Sequence, residues 1–215
     1  MEARAPARDS QARSSLRERH AAVTRSVILE VARRRFAEQG YAATAVRPIA
    51  AEAGVSLQTL YSVFGSKQGI LLGLVDTVRE QTDAATTWER MERSDDPLEV
   101  VALAARLRRQ ILERCGDIVI TFREGAAGDP DVAAAYEEGQ RRTREGVTHM
   151  CERLRALGAL RPGLELQRAV DQVAALCAAE IYEELAGRSG WSPDEYERWL
   201  TERLRDVLLG AGPGG

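Results

Sequence analysis

Three proline residues follow directly after an Asp or Ser, and this pairing is typical of the first turn of an α-helix. They occur at Asp96-Pro97, Asp129-Pro130 and Ser192-Pro193. Proline costs no hydrogen bond at the first helical position, and the side chain before it accepts hydrogen bonds from free backbone N–H groups. The segments between these starts are rich in Ala, Leu, Arg and Glu, which favour helices. The sequence therefore predicts an all-α fold.

The helices are expected between breaks that contain glycine. We predict them over 22–39, 45–53, 56–63, 66–92, 97–114, 116–125, 130–157, 165–187 and 193–209. The β-branched run 118–122 also has strand character. Because no second run is available to pair with it, a short buried helix is the favoured interpretation.

Residues 46–65 have the pattern of a helix-turn-helix unit. Two steeply crossing helices need a small residue where they touch, which Ala50 supplies, and Gly54 suits a tight turn with positive φ. Thr44 and Ser56 can cap the two helices. The positions expected to be buried are all apolar, namely Ile49, Ala53, Val55, Leu60 and Val63. The alternative is an αα-hairpin that binds no ligand.

The second helix of such a unit lies in the major groove of DNA. If Leu60 and Val63 face inward, the side chains that face outward are Leu57, Gln58, Thr59, Tyr61 and Ser62. Gln58 can pair with adenine, Thr59 can donate to a base or contact a thymine methyl, and Tyr61 can donate to a phosphate. Arg47 on the first helix faces the same side.

Charge supports a polyanionic partner for the N-terminal part of the chain. Residues 1–67 contain eleven Lys and Arg against six Asp and Glu, whereas the remainder contains nineteen against twenty-seven. Lys67 is the single lysine, and it stands at a helix start, where backbone N–H groups also attract phosphate. Two ordinary solvated surfaces would show the same charge asymmetry, so the alternative stays open.

The residues from Arg25 to Leu72 resemble the TetR family of transcriptional repressors. The resemblance rests on Phe36-Ala37-Glu38-x-Gly40-Tyr41, Ala53-Gly54-Val55-Ser56, Thr59-Leu60-Tyr61 and Phe64-x-Ser66-Lys67. It implies that Thr44, Tyr61 and Lys67 hold the operator backbone and that Arg47, Gln58 and Thr59 read or flank bases. Ser56, Leu57 and Ser62 complete the implied DNA-binding surface. Val63 departs from the family, where His or another polar residue is frequent before Phe64.

The resemblance also implies a domain organisation. It places a helix-turn-helix domain at 21–67 and a helical effector-binding and dimerisation domain at 68–210. A disordered basic arm is expected at 1–20 and a flexible tail at 211–215. The helix over 165–187 is apolar over more than one face, which favours a second copy as its partner. The expected dimer interface comprises Val170, Val173, Cys177, Ile181, Trp199, Leu200 and Leu204.

A pocket for a small-molecule effector is a further expectation from the resemblance. A pocket between the middle helices is implied by the resemblance, with apolar walls and a few polar groups. The candidate lining residues are Trp88, Phe122, Tyr136, Met150 and Cys177, each of which could equally be part of the core. The identity of the small molecule does not follow from the sequence.

Other classes of protein find little support. The sequence has no phosphate-binding glycine loop, zinc-protease motif or nucleophile elbow, so we expect no enzyme, no cofactor and no metal site. Three cysteines at wide spacing predict buried free thiols. The first twenty-five residues have no signal-peptide core, and the longest apolar run is too short to cross a bilayer, so a cytoplasmic protein without a membrane partner is expected.

These observations predict a homodimeric repressor that binds a palindromic double-stranded DNA operator and is released by a small-molecule effector. An activator with the same fold is one alternative. A ligand-binding or interaction module that does not bind DNA is the other.

Overall fold

The computed structural model describes residues 6–209, with side chains described from residue 19 onward except at residue 79. Within this range the elements are helices and no strand is present, which confirms the all-α prediction. The helices are α1 (Pro6–Gln39), α2 (Val46–Glu52), α3 (Leu57–Phe64), α4 (Lys67–Glu80), α5 (Ala84–Arg93), α6 (Pro97–Gly125), α7 (Pro130–Ala156), α8 (Leu166–Leu176), α9 (Ala179–Tyr182) and α10 (Pro193–Leu208). A π-helical turn, Glu183–Arg188, continues α9.

The chain divides into two compact units between Leu74 and Val75. The sequence placed this boundary after residue 67, but α4 runs on through it without a break. Ile70, Leu71 and Leu74 of α4 are buried. The first half of α4 therefore belongs to the N-terminal unit, which a boundary drawn at the helix start cannot reveal.

In the N-terminal unit α1, α2 and α3 pack on one another. Ile28, Ala32 and Phe36 of α1 are buried, as are Ile49 of α2 and Leu60 of α3. Helix α1 begins at Pro6, so the expectation of disorder is wrong for residues 6–20. Ala, Arg, Gln and Leu in this stretch favour helix even without an apolar face. Residues 1–5 of the expected arm, and the expected tail at 211–215, lie outside the described residues.

In the C-terminal unit α6 packs against α7 and α10, and α8 packs against α7 and α10. All three predicted helix starts are confirmed. The Asp96 carboxylate accepts a hydrogen bond from Leu98 N, and that of Asp129 accepts from Asp131 N, both at 2.9 Å. Ser192 and Glu195 form a reciprocal capping box, in which each side chain accepts from the other residue's backbone N–H.

Four predicted helices are divided or joined in the structure. The segment 66–92 is interrupted between α4 and α5, whereas 97–114 and 116–125 form the single helix α6. The β-branched run 118–122 is helical, as favoured. The segment 165–187 is interrupted at Cys177 and Ala178, where Ala178 has the extended backbone ψ of 139°. No glycine or proline marks this interruption, so the sequence pattern could not locate it.

Two further expectations concern thiols and membranes. Cys115, Cys151 and Cys177 are free and buried, which confirms the prediction from their spacing. Over the described part of the chain, no helix combines the length and apolar character needed to span a bilayer.

Candidate nucleic-acid interface

The turn between α2 and α3 has the geometry that the glycine predicted. Gly54 has a φ of +68°, and its N–H donates to the Ala51 carbonyl at 3.2 Å. Val55 N donates to the Ala50 carbonyl at 3.0 Å, which completes a helix-ending motif of two backbone hydrogen bonds. Ile49 and Ala50 are buried beneath this turn. These bonds determine the angle at which α3 leaves α2.

Helix α3 presents one face outward. Ser56 caps it as predicted, because its Oγ accepts from Thr59 N at 3.0 Å. Leu60 is fully buried and anchors the inner face. The residues on the exposed face are Gln58, Thr59, Tyr61 and Ser62, whereas Leu57 and Val63 are half-buried. Tyr61 is 44% exposed despite its aromatic ring, so packing does not account for its position.

Thr44 has a different position from the one expected. The N-cap of α2 is Ala45, with no side-chain capping bond. Thr44 is only 2% exposed, and its Oγ1 donates to the Gly40 carbonyl at 2.8 Å and the Arg35 carbonyl at 3.2 Å. The capping prediction is therefore wrong, because the hydroxyl turns back to the end of α1. Its hydroxyl supports the loop rather than facing a polyanion.

Lys67 is directed toward the same loop. Its Nζ donates to the Tyr41 carbonyl at 2.5 Å and lies 4.1 Å from the centre of the Tyr41 ring. Tyr41 in turn packs on Phe36 of α1, with ring centres 5.2 Å apart. The start of α4 is thus tied to the segment before α2. The Lys67 residue is half-buried, so part of it remains exposed to solvent.

Arg47 is exposed on α2, as the sequence predicted. The opposite end of α2 is held to α1 by charge, since Glu52 pairs with Arg34 and accepts from Arg35 Nε at 2.8 Å. These exposed pairs contribute little free energy each, but together they orient α2.

Gly69 is a position that requires glycine, which the sequence pattern did not indicate. A Cβ at this residue would lie 1.9 Å from the Phe64 carbonyl oxygen. The Gly69 N–H donates to Ser66 Oγ at 2.9 Å, so Ser66 caps the start of α4. The close approach sets α4 against the end of α3. The Ser66 cap was foreseeable from residue type, but the contact with Phe64 depends on the crossing of the two helices.

The five expected pocket residues do not form one cluster. Met150 and Cys177 belong to the main core of the C-terminal unit, and Trp88 packs against that core. Phe122 is also buried but lies outside this cluster, as does half-buried Tyr136. The Tyr136 hydroxyl accepts from Gln140 Nε2 at 3.2 Å. For Met150 and Cys177 the structure supports the core alternative.

The expected dimer interface needs a correction. Five of its residues are buried within the subunit itself, namely Val170, Val173, Cys177, Leu200 and Leu204. They have almost no surface to offer a partner. Ile181 and Trp199 are only half-buried and retain exposed area. The expectation treated 165–187 as one helix, whereas the helix is interrupted at Cys177 and Ala178.

Comparison with known proteins agrees with this geometry. The family model described as bacterial regulatory proteins, tetR family, matches residues 28–74. A search of curated proteins by sequence finds no match. Similar solved structures cover nearly the whole described chain at low sequence identity.

Three of these structures illustrate the shared fold. A TetR-family transcriptional regulator from Syntrophomonas wolfei is 17% identical, with 89% of this chain and 98% of that chain covered and a TM-score of 0.73. A transcriptional regulator from Saccharomonospora viridis in complex with choline is 21% identical, with coverage of 86% and 97% and a TM-score of 0.66. The regulator FadR from Bacillus subtilis in complex with stearoyl-CoA is 16% identical, with coverage of 87% and 99% and a TM-score of 0.69.

The family match covers the whole helix-turn-helix unit and the first half of α4. The structural matches extend the same fold to the C-terminal helices. Residues 28–74 thus match the tetR family of bacterial regulatory proteins, and the chain shares the fold of the solved regulators.

Proposed function

We propose that this chain is a homodimeric, sequence-specific repressor of transcription that binds a palindromic operator and is released by a small-molecule effector. The observation that carries the proposal is the outward face of α3. Gln58, Thr59 and Tyr61 are exposed there, while Leu60 is buried and Ser56 caps the helix. The family-model match over residues 28–74 supports a transcription regulator rather than an enzyme.

The chemistry of this face suits double-stranded DNA. Gln58 and Thr59 lie in the first turn of α3, the end of a recognition helix that approaches base edges. A glutamine amide can donate to N7 of adenine and accept from its N6 amino group at the same time. Exposed Tyr61 and Arg47 offer a hydroxyl and a guanidinium to phosphates, which position the helix without reading sequence.

Thr59 has a second contact that bears on its role. Its Oγ1 lies 2.8 Å from Ser56 Oγ, so the two hydroxyls share one hydrogen bond. This contact restrains the Thr59 side chain, which is exposed at the start of α3. A threonine methyl group can contact the C5-methyl of thymine.

A second copy of the chain is needed for useful specificity. One helix-turn-helix unit contacts too few base pairs, and dimers of such units read two half-sites in inverted orientation. Ile181 and Trp199 are half-buried in the subunit and offer apolar area to a partner. We therefore place the centre of the dimer interface at these two residues rather than at the buried core of α8 and α10.

Effector release would follow from differential affinity. A ligand that binds more tightly to a state with wrongly spaced recognition helices lowers DNA affinity by the same free energy. The choline and stearoyl-CoA complexes of the two regulators with this fold support a small-molecule ligand for this chain. The repressor assignment implies that the operator overlaps a promoter.

The decisive experiment is selection of bound duplexes from a random DNA pool, followed by binding at several salt concentrations. We expect an inverted repeat whose two halves are equivalent, with two chains bound per site by analytical ultracentrifugation. In vitro transcription from a promoter that contains the repeat should fall when the protein is added. Recovery of no preferred sequence by a folded dimer would contradict the proposal, and a rise in transcription would make the chain an activator.

A further inference from the structure

Arg108 is a buried cation whose charge no acidic residue offsets. It lies on α6 with 9% of its surface exposed, and its Nε is buried without a hydrogen-bond partner. Among the described residues no carboxylate forms an ion pair with it. Burying a guanidinium without a counter-ion is unfavourable, so such groups are paired in most folded proteins. The other arginines that are mostly buried in this unit, Arg109, Arg123 and Arg153, all have carboxylate partners.

A second unpartnered polar group lies beside Arg108. Tyr196 of α10 is 0% exposed, and its hydroxyl is buried without a hydrogen-bond partner. Burial raises the pKa of Tyr196, and the nearby Arg108 charge opposes that rise. Burial raises the pKa of Cys177 as well, again opposed by Arg108. The Tyr196 hydroxyl and the Cys177 thiol are therefore uncharged at neutral pH, and neither can serve as the missing anion.

The surroundings of this pair are apolar. Ala105 and Leu112, one turn to either side of Arg108 on α6, are buried, and so is Leu200, one turn from Tyr196 on α10. The Tyr182 ring packs perpendicular to that of Tyr196, with ring centres 4.8 Å apart. A group that binds here would meet two hydrogen-bond donors at one end and hydrocarbon elsewhere.

The helices that contain Cys177 and Tyr182 are irregular near Arg108 and Tyr196. Cys177 ends α8, and Tyr182 directly precedes the π-helical turn, a rare element that is frequent at functional sites. An open groove of about 390 Å³ also lies on α6 and α10, the two helices that carry Arg108 and Tyr196. The groove is lined by Arg106, Arg109, Asp194, Glu197, Arg198, Thr201 and Glu202. Neither Arg108 nor Tyr196 lines this groove, although their sequence neighbours Arg109 and Glu197 do.

We propose that Arg108 and Tyr196 bind the carboxylate of a small organic acid with an apolar body, and that this acid is the effector. The guanidinium donates from Nε and one Nη to the two carboxylate oxygens, and the Tyr196 hydroxyl donates to one of them. The inference rests on the proposed function, because it names the chemical class of the effector.

The test is calorimetric titration of the full chain with acids and matched uncharged amides. The probes are butanoate, octanoate, dodecanoate and benzoate, each compared with its amide. At least one acid should bind about 10- to 100-fold more tightly than its amide, the range for a charge-assisted hydrogen-bonded pair. That acid should also raise the thermal midpoint of the protein, and its amide should not.

Variants then assign the preference to the two residues. Arg108→Met keeps the length and apolar stem of the side chain and should abolish the discrimination between acid and amide. Tyr196→Phe removes only the hydroxyl and should weaken acid binding about tenfold. The matched control is Arg155→Met, which removes an exposed arginine of α7 that does not line the groove and should leave the preference unchanged.

Three results would overturn the inference. They are equal binding of acid and amide by the wild type, failure of every acid to bind, and an unchanged preference in a folded Arg108→Met protein. A shift in the dimer dissociation constant of Arg108→Met without any acid binding would assign Arg108 to the contact between copies instead. DNA selection and these titrations are independent measurements. Acid binding without operator binding would reject only the proposed function. Operator binding without acid binding would reject only this inference.

Discussion

Lys67 Nζ lies 2.5 Å from the Tyr41 carbonyl oxygen and 4.1 Å from the centre of the Tyr41 ring. The single lysine of the chain thus joins the start of α4 to the segment that leads into α2. This contact was not foreseen, since the sequence assigned the ammonium group to a phosphate. Lys67 is only half-buried, so its positive charge can also act on a phosphate.

Removing this ammonium group should have two separable effects. Lys67→Met keeps the apolar stem and loses the bond to Tyr41, so it should destabilise the protein by about 1 kcal/mol in urea unfolding. It should also weaken binding to all duplexes alike and lower the slope of log affinity against log salt by about one. Stability loss with an unchanged slope would show that Lys67 only positions the loop.

Gln58→Ala should change the preferred sequence rather than the affinity for DNA in general. We expect a loss of about 1–3 kcal/mol of discrimination at one base pair in each half-site, because the bidentate pair with adenine is lost. Duplex selection repeated with the variant measures this directly. Gln39→Ala is the matched control, since Gln39 is exposed at the end of α1. An unchanged preferred sequence for Gln58→Ala would show that this side chain does not read bases.

Glycine substitutions should divide into two classes by their backbone conformation and surroundings. Gly54→Ala should cost about 1–2 kcal/mol, because φ is +68° although no atom lies within 4 Å of the added Cβ. Gly69→Ala should cost more, because the new Cβ would collide with the Phe64 carbonyl, which is backbone and cannot rotate away. Urea unfolding of both variants tests the order.

The control for this pair is Gly139→Ala. Gly139 lies inside α7, and an added Cβ there would meet no atom within 4 Å. Alanine should stabilise the helix by about 0.5–1 kcal/mol. Equal destabilisation by all three substitutions would show that neither the positive φ of Gly54 nor the close contact at Gly69 accounts for the loss of stability.

Acid should weaken the contact between α7 and α4. Hydrogen bonds from Arg141 and Arg142 lower the pKa of Glu138 from 4.5 to about 2, and Arg142 also donates to Asp76 of α4 at 2.8 Å. A depressed pKa in the folded state contributes stability that is complete above about 4.5 and is lost as the pH falls toward about 2. Glu138→Gln should therefore flatten the pH dependence of the thermal midpoint in this window. The effect should shrink in high salt, since the group is at the surface.

Features that depend on neighbouring residues were predictable from the sequence, whereas features that depend on contacts between distant residues were not. The caps at Asp96, Asp129 and Ser192 and the turn at Gly54 were predictable, because each depends on hydrogen bonds or dihedral angles within a few residues. The exposed face of α3 was predictable as well, since helical periodicity determines which residues share a face with Leu60. The family resemblance found from the same residues is confirmed by the match over 28–74.

Tertiary structure decided what local rules leave open. Thr44 could have capped α2, but its hydroxyl is closer to the carbonyls at the end of α1. Val173 and Leu200 are apolar and could have faced a second copy, but the packing of α8 and α10 buries them within the subunit. The interruption at Cys177 and Ala178 and the burial of Arg108 likewise have no local signal in the sequence. Sequence periodicity shows which side chains share a face, but only contacts between distant helices determine what covers it.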